Sequence, residues 1–210
     1  MDTITFKEEG FMFEIAEYIG IIAFAMSGFF VAARNHLDLL GTLISVFLTA
    51  FGGGVMRDVI VNKTPYTFSH NAPAIIVFTL MLLMILFRLH RKESIENKLW
   101  FILSDSIGLV SFSIGGALIA LEAGLNMTGV LALSFVTAVG GGIARDVIIN
   151  EVPFVFKTGF YGTISLLVGV VIYLLETFSL TGFYPIAMVF VSGVGLRMMA
   201  YYKKWSVPLI

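Results

Sequence analysis

Seven stretches of mainly apolar residues follow one another along this chain, at Glu14–Ala33, Leu37–Asn62, Asn71–Leu89, Leu99–Leu121, Asn126–Asn150, Gly159–Leu175 and Phe183–Tyr202. Each comes close to the ~20 residues that a helix needs to cross the hydrocarbon of a bilayer. The runs are continuous rather than alternating, which argues against a membrane β-barrel. Only 13% of the 210 residues are charged and the mean hydropathy is +0.96, whereas an average soluble domain carries about 25% charged residues. A soluble fold of this size has nowhere to hide so much apolar surface. Lipid is therefore the expected solvent, and residues 1–210 read as one all-α integral membrane domain with seven transmembrane helices.

Internal duplication orders these spans. A shift of 88 residues aligns Gly52–Phe68 (GGGVMRDVIVNKTPYTF) with Gly140–Phe156 (GGGIARDVIINEVPFVF), and ten of the seventeen positions are identical. The same shift matches Glu17 with Asp105, Gly20 with Gly108, Phe24 with Phe112, Gly28 with Gly116 and Thr49 with Thr137. Repeat one is read as 14–90, repeat two as 99–177, and a seventh helix as 183–203. Each repeat holds three spans, an odd number, so the second must enter from the opposite side of the membrane. Inverted repeats of this kind meet near the bilayer midplane, where transporters place their sites.

Lys and Arg in short loops set orientation. One face collects Arg34, Arg88, Arg91, Lys92, Lys98, Lys157, Lys203 and Lys204, while the other holds Lys7 and Lys63. The first of these should be cytoplasmic, with the N-terminus outside and the C-terminus inside. The N-terminus is polar and more acidic than basic, so it does not read as a cleavable signal peptide. An inner (plasma) membrane location follows for a multi-pass chain.

Two glycine triplets, Gly52-Gly53-Gly54 and Gly140-Gly141-Gly142, sit inside long apolar spans. Each Gly costs a helix roughly 1 kcal/mol relative to Ala, so three together should kink or unwind it. Freed backbone groups persist in a membrane only where they are buried in protein or line a wet cavity. Close helix packing accounts for one such triplet. Two, at equivalent positions of inverted halves, favour an ion path. Thr49 and Thr137 lie one turn earlier; their hydroxyls either coordinate an ion or bond to their own helix.

Arg57-Asp58 and Arg145-Asp146 are costly charges at membrane depth and should be paired and turned inward. Glu17 lies at the depth of Arg57 on the neighbouring span, and Asp105 stands in the same relation to Arg145. Counting at 1.5 Å per residue, the spacing predicts Glu17–Arg57 and Asp105–Arg145 contacts, direct or through water. The alternative is an Arg that snorkels while its Asp caps a helix end. Such pairs, one near each mouth, are candidate gates or structural charge pairs. Small residues at Ala16, Gly20, Ala23 and Ser27, and at Ser104, Gly108, Ser111 and Gly115, share one face of spans one and four. They read as a helix seam, or as hydroxyls along the path.

Other classes find little support. The net charge of −1 and the absence of a basic cluster argue against nucleic acid. Cys is absent, which removes thiolate metal sites and thiol nucleophiles. His36, His70 and His90 fall in or near loops without metal-ligand spacing. GGGVMRD lacks the Gly-Lys-Ser/Thr ending of a phosphate loop. Neither an enzyme, a bound metal nor a cofactor is expected.

The doubled Gly-Gly-Gly-x-x-Arg-Asp-Val-Ile motif, followed by Asn and then Pro, resembles prokaryotic members of the trimeric intracellular cation (TRIC) channel family. These overlap a bacterial membrane family described as glycine-transporter-like. The resemblance covers about residues 14–205 and implies a homotrimer with one ion pathway inside each protomer, shaped by kinked second and fifth helices. Animal members carry a Lys-containing motif after the first Gly run, where Val-Met-Arg-Asp stands here. The expected function is a monovalent, K+-favouring cation channel. The alternatives are a secondary carrier for glycine or a similarly small amino acid and, behind it, a membrane assembly protein.

Overall fold

The structure is a computed structural model that describes residues 3–89, 95–157 and 160–205. Their regular structure is helical throughout: α1 (Thr3–Arg34), α2 (Leu39–Ile60), α3 (Tyr66–Ser69), α4 (Asn71–Leu86), α5 (Ile95–Glu122), α6 (Met127–Ile148), α7 (Phe154–Lys157), α8 (Gly162–Thr177) and α9 (Phe183–Tyr202). Five of these, α1, α2, α5, α6 and α9, are long and apolar enough to cross a membrane. Helices α4 and α8 have 16 residues each, about 24 Å at the helical rise. That is shorter than the roughly 30 Å hydrocarbon layer. The short helices α3 and α7 were not expected from the sequence.

Local chemistry sets the helix ends, and it is duplicated too. Asp38 caps α2 by accepting from the Gly41 N–H at 2.7 Å, and Asn126 caps α6 by accepting from Gly129 at 3.0 Å. Asn62 and Asn150 take left-handed conformations (φ 57° and 59°) just beyond α2 and α6. The amides that follow reach back to helix carbonyls, Lys63 to Asp58 and Glu151 to Asp146, both at 2.8 Å. This is the two-bond termination that an αL residue permits.

Helices α1 and α5 form the buried centre, with α2 and α6 crossing each other beside them. Gly20 receives the ring of Phe112, and Gly108 receives that of Phe24. The two rings meet edge to face at 5.1 Å. Ser27 meets Asp105 further along. Numbers rise on α1 as they fall on α5, so the two helices are antiparallel. The α2/α6 crossing obeys the same rule, with Gly52 against Gly141 and Gly53 against Gly140.

The glycine triplets do not break their helices. Both α2 and α6 run unbroken through them, which corrects the expected unwinding. A Cβ on Gly53 would collide with the Thr137 carbonyl, one on Gly141 would lie 2.6 Å from the Thr49 carbonyl, and one on Gly52 would lie 3.0 Å from the Gly141 Cα. The glycines let two backbones approach closer than side chains allow, which offsets their poor helix propensity. Gly53→Ala and Gly141→Ala should each lower the melting temperature of the detergent-solubilised protein, with overpacking costing about 1–3 kcal/mol. Gly195→Ala, with nothing within 4 Å of the added atom, should leave it unchanged or raise it.

Candidate functional site

Arg57 follows the first glycine triplet by one turn and lies wholly buried between α1, α2 and α5. Its Nη1 donates to Glu17 Oε2 at 2.6 Å, its Nη2 to Glu17 Oε1 at 3.3 Å, and its Nε to Asp58 Oδ1 at 2.8 Å. The Phe13 ring lies 4.8 Å from the guanidinium carbon. Asp58 uses its other oxygen to accept from the Tyr66 N–H at 2.8 Å, which starts α3. Tyr66 bonds the Tyr18 hydroxyl at 3.0 Å and stacks on His70. Burial, reinforced by the Tyr18 bond, pushes the Tyr66 phenol above its ordinary range. One carboxylate pair, one guanidinium and one amide thus join α1, α2 and α3, all close to the face that carries the Lys63–Glu122 ion pair at 2.7 Å.

The second copy lies near the opposite face, marked by the Arg34–Glu151 pair at 3.0 Å. Arg145 is 2% exposed and donates from Nε to Asp146 Oδ1 at 2.8 Å, with its Nη2 in ion-pair contact with the same oxygen at 2.8 Å. Asp146 Oδ2 accepts from the Phe154 N–H at 2.8 Å, which opens α7. The expected Asp105–Arg145 contact is indirect. Ser27 stands between them, donating to Asp105 Oδ1 at 3.1 Å while Arg145 Nη1 reaches its oxygen at 3.5 Å. The reason lies in two exchanges. Asp105 is one methylene shorter than its counterpart Glu17. The residue equivalent to Ser27 is Gly115, whose missing side chain leaves Glu17 and Arg57 in direct contact.

The remaining candidates bond to their own helices or pack against the neighbouring one. Thr49 Oγ1 donates to the Ser45 carbonyl and Thr137 Oγ1 to the Leu133 carbonyl, both at 2.6 Å. Gly28 and Gly116 press against these hydroxyls; an added Cβ would lie 2.7 Å away. Ser104 bonds the Phe101 carbonyl at 3.0 Å, and Ser111 Oγ is buried without a hydrogen-bond partner among the described residues. Gly54 lies beside Glu17, and Gly142 faces Arg145. His90, Arg91 and Lys92 lie outside the described residues. Among those described, no group of three His, Cys, Asp or Glu residues is placed to hold a metal ion.

Sequence reasoning missed Arg197, a lone cation inside the apolar run of α9. It is 2% exposed, and its guanidinium lies 5.0 Å from the Tyr161 ring and 5.9 Å from that of Phe154. The signal was present, because a charge within an apolar span marks a site by itself. It carried no partner because α9 has no copy in the first half. A cavity of about 340 Å³ opens from the Arg34 face towards this cluster, lined by Val31, Phe101, Arg145, Asp146, Glu151 and Phe154.

A family model described as glycine transporter matches residues 14–89 and again 102–177. The UPF0126 membrane protein YvgT of Bacillus subtilis is 33% identical over 195 residues, covering 93% of this chain and 95% of that protein. The inner membrane protein YadS of Escherichia coli is 31% identical over 155 residues, 74% of each. One solved structure, from work on conductance through TRIC cation channels, superposes with a TM-score of 0.81 at 32% identity and covers 94% of this chain and 96% of its own. A prokaryotic TRIC channel crystallised in 0.5 M KCl superposes at 0.85 with 25% identity over 94% of this chain and 99% of its own.

Removing one partner of a buried ion pair leaves the other charged and bare, at a cost of about 3–5 kcal/mol. Arg57→Ala, which strands both Glu17 and Asp58, should cost at least that much in detergent unfolding; Glu17→Ala should cost less because Asp58 still holds Arg57, and the double variant should cost less than their sum. Asp105→Glu combined with Ser27→Gly should recreate the direct pair at the second face and raise the melting temperature.

Proposed function

The chain belongs to the prokaryotic TRIC channel family, where that family overlaps the one described as glycine transporter, and from that membership we propose that it is a monovalent cation channel favouring K+, with a pathway inside each protomer of a homotrimer. One observation carries the reading. Two neutralised guanidinium–carboxylate clusters lie at opposite ends of a single helical core, and a cavity of about 340 Å³ reaches one of them. Unpaired Arg in a pore would repel cations. Arg held by carboxylates leaves oxygens to meet them.

The path runs from one cluster to the other past the crossing of Gly52, Gly53 and Gly54 with Gly140, Gly141 and Gly142. Thr49 and Thr137 present their remaining hydroxyl lone pairs beside it. In this conformation the Phe24–Phe112 pair and the glycine contacts close the middle. Conduction therefore requires α2 and α6 to part. Glu17, Arg57 and Asp58 at one end, with Asp105, Arg145 and Asp146 at the other, form the gates.

Seven spans in two inverted repeats suit this reading. Glu122 ends α5 at the same face as Lys63, so the long α5 begins at the opposite one. Helix α4 starts beside α3 at the Lys63 face, and in this reading it crosses to hand the chain to α5 at the other. Trp205, after α9, meets Phe160, before α8, at 5.4 Å. In this reading helices α8 and α9 both cross, and the bilayer thins locally to fit the short ones. The Lys- and Arg-rich face is cytoplasmic, which places the N-terminus outside the inner membrane.

Recordings in planar bilayers under a K+ gradient test the proposal. Unitary currents should reverse near the K+ equilibrium potential. The family's description favours one rival, a glycine carrier. That rival predicts saturable, exchangeable glycine uptake into liposomes and no unitary currents.

A further inference from the structure

The second-face cluster contains a helix that the first-face cluster lacks. Without α9 the two would carry equal charge: Glu17, Arg57 and Asp58 leave one net negative charge, as do Asp105, Arg145 and Asp146. Arg197 cancels the second and has no counterpart at the first. Yet it does not close onto a carboxylate. Its Nε and Nη2 have no hydrogen-bond partner among the described residues, and neither has Asp105 Oδ2. Both side chains are at most 3% exposed. Their helices meet here, with Ser106 Oγ 3.8 Å from Met198 Sδ, and the Arg197 guanidinium lies 5.0 Å from the Tyr161 ring. Arg145 cannot serve Asp105 instead, because its Nε and Nη2 are both engaged by Asp146 and its Nη1 reaches only Ser27.

Buried acceptors and donors left open in this way are ordinarily satisfied by a small polar guest. Water satisfies both. A dehydrated monovalent cation would satisfy Asp105 Oδ2 and the Ser27 oxygen, but only where the guanidinium does not already neutralise the carboxylate. We propose that Arg197 is a tethered counter-ion that competes with monovalent cations for a site on Asp105 behind the second-face mouth. Its guanidinium rests on the rings of Tyr161 and Phe154, held by cation–π attraction rather than by an ion pair, which leaves it free to approach or withdraw. The currents described below rest on the channel reading; the binding does not.

The test uses the whole chain, purified in detergent. Arg197→Met and Arg197→Gln are melted in KCl and in N-methyl-D-glucamine chloride at equal ionic strength. Both variants should gain several degrees of K+-dependent stabilisation that the unsubstituted chain lacks, and adding Asp105→Asn should abolish it. Absence of that gain in the folded neutral variants overturns the proposal. Asp105→Asn alone provides a second check, since it leaves the guanidinium uncompensated. It should be stabilised by chloride over gluconate, and indifference to the anion counts equally against the idea. In planar bilayers Arg197→Met should pass severalfold more K+ current, and the double variant should fall back. A K+-dependent melting shift without currents in any variant keeps the site and removes the channel.

Discussion

A guanidinium cannot stand bare in hydrocarbon, and most of this architecture follows from how Arg57 and Arg145 are neutralised. Burying an ion costs several kcal/mol unless its partners and their geometry are complete. Arg57 meets the requirement with Glu17 from α1 and Asp58 from its own helix, while Phe13 covers its face. Asp58 then passes the constraint on by receiving the first amide of α3. A demand that is electrostatic at one atom therefore fixes the approach of α1 to α2 and the turn that returns the chain into the core.

The second copy shows how far duplication carries a structure before the halves diverge. Backbone features repeat closely: the Asp38 and Asn126 caps, the αL residues Asn62 and Asn150, and the reciprocal seats of Phe24 and Phe112. These depend on local chemistry and on small residues that both halves retain. The charged clusters repeat only in part: the Arg–Asp contact and the amide bonded to that Asp recur, while the carboxylate from the neighbouring helix does not keep its place. Exchanging Gly115 for Ser27 and Glu17 for Asp105 turns a direct ion pair into one relayed by a hydroxyl, and α9 supplies a cation that the duplication never contained. Identical frames thus hold clusters of different net charge at their two ends.

The glycine triplets mark where local reasoning stopped. Their propensity predicts a broken helix, because roughly 1 kcal/mol per residue is lost when each is considered alone. Antiparallel crossing reverses the outcome. Bare Cα atoms at Gly52, Gly53 and Gly141 let main chains pack where a Cβ would crowd the facing backbone, and dispersion contacts hold both helices continuous. Thr49 and Thr137 are drawn into the same packing, each donating to its own helix.

Much was legible in the residues themselves. Apolar runs required lipid, the 88-residue repeat required equivalent halves, and equal depth along neighbouring spans put Glu17 opposite Arg57; all three depend only on composition, period and helical rise. Tertiary structure decided what the side chains do once two surfaces meet. It set the glycines as a crossing instead of a break, placed Ser27 between Asp105 and Arg145, and brought Arg197 from the far end of the chain to an incompletely bonded carboxylate. Those outcomes turn on the distance between atoms remote in sequence. A difference of one methylene or one Cβ settles such a distance, and no pattern along a single strand of residues records it.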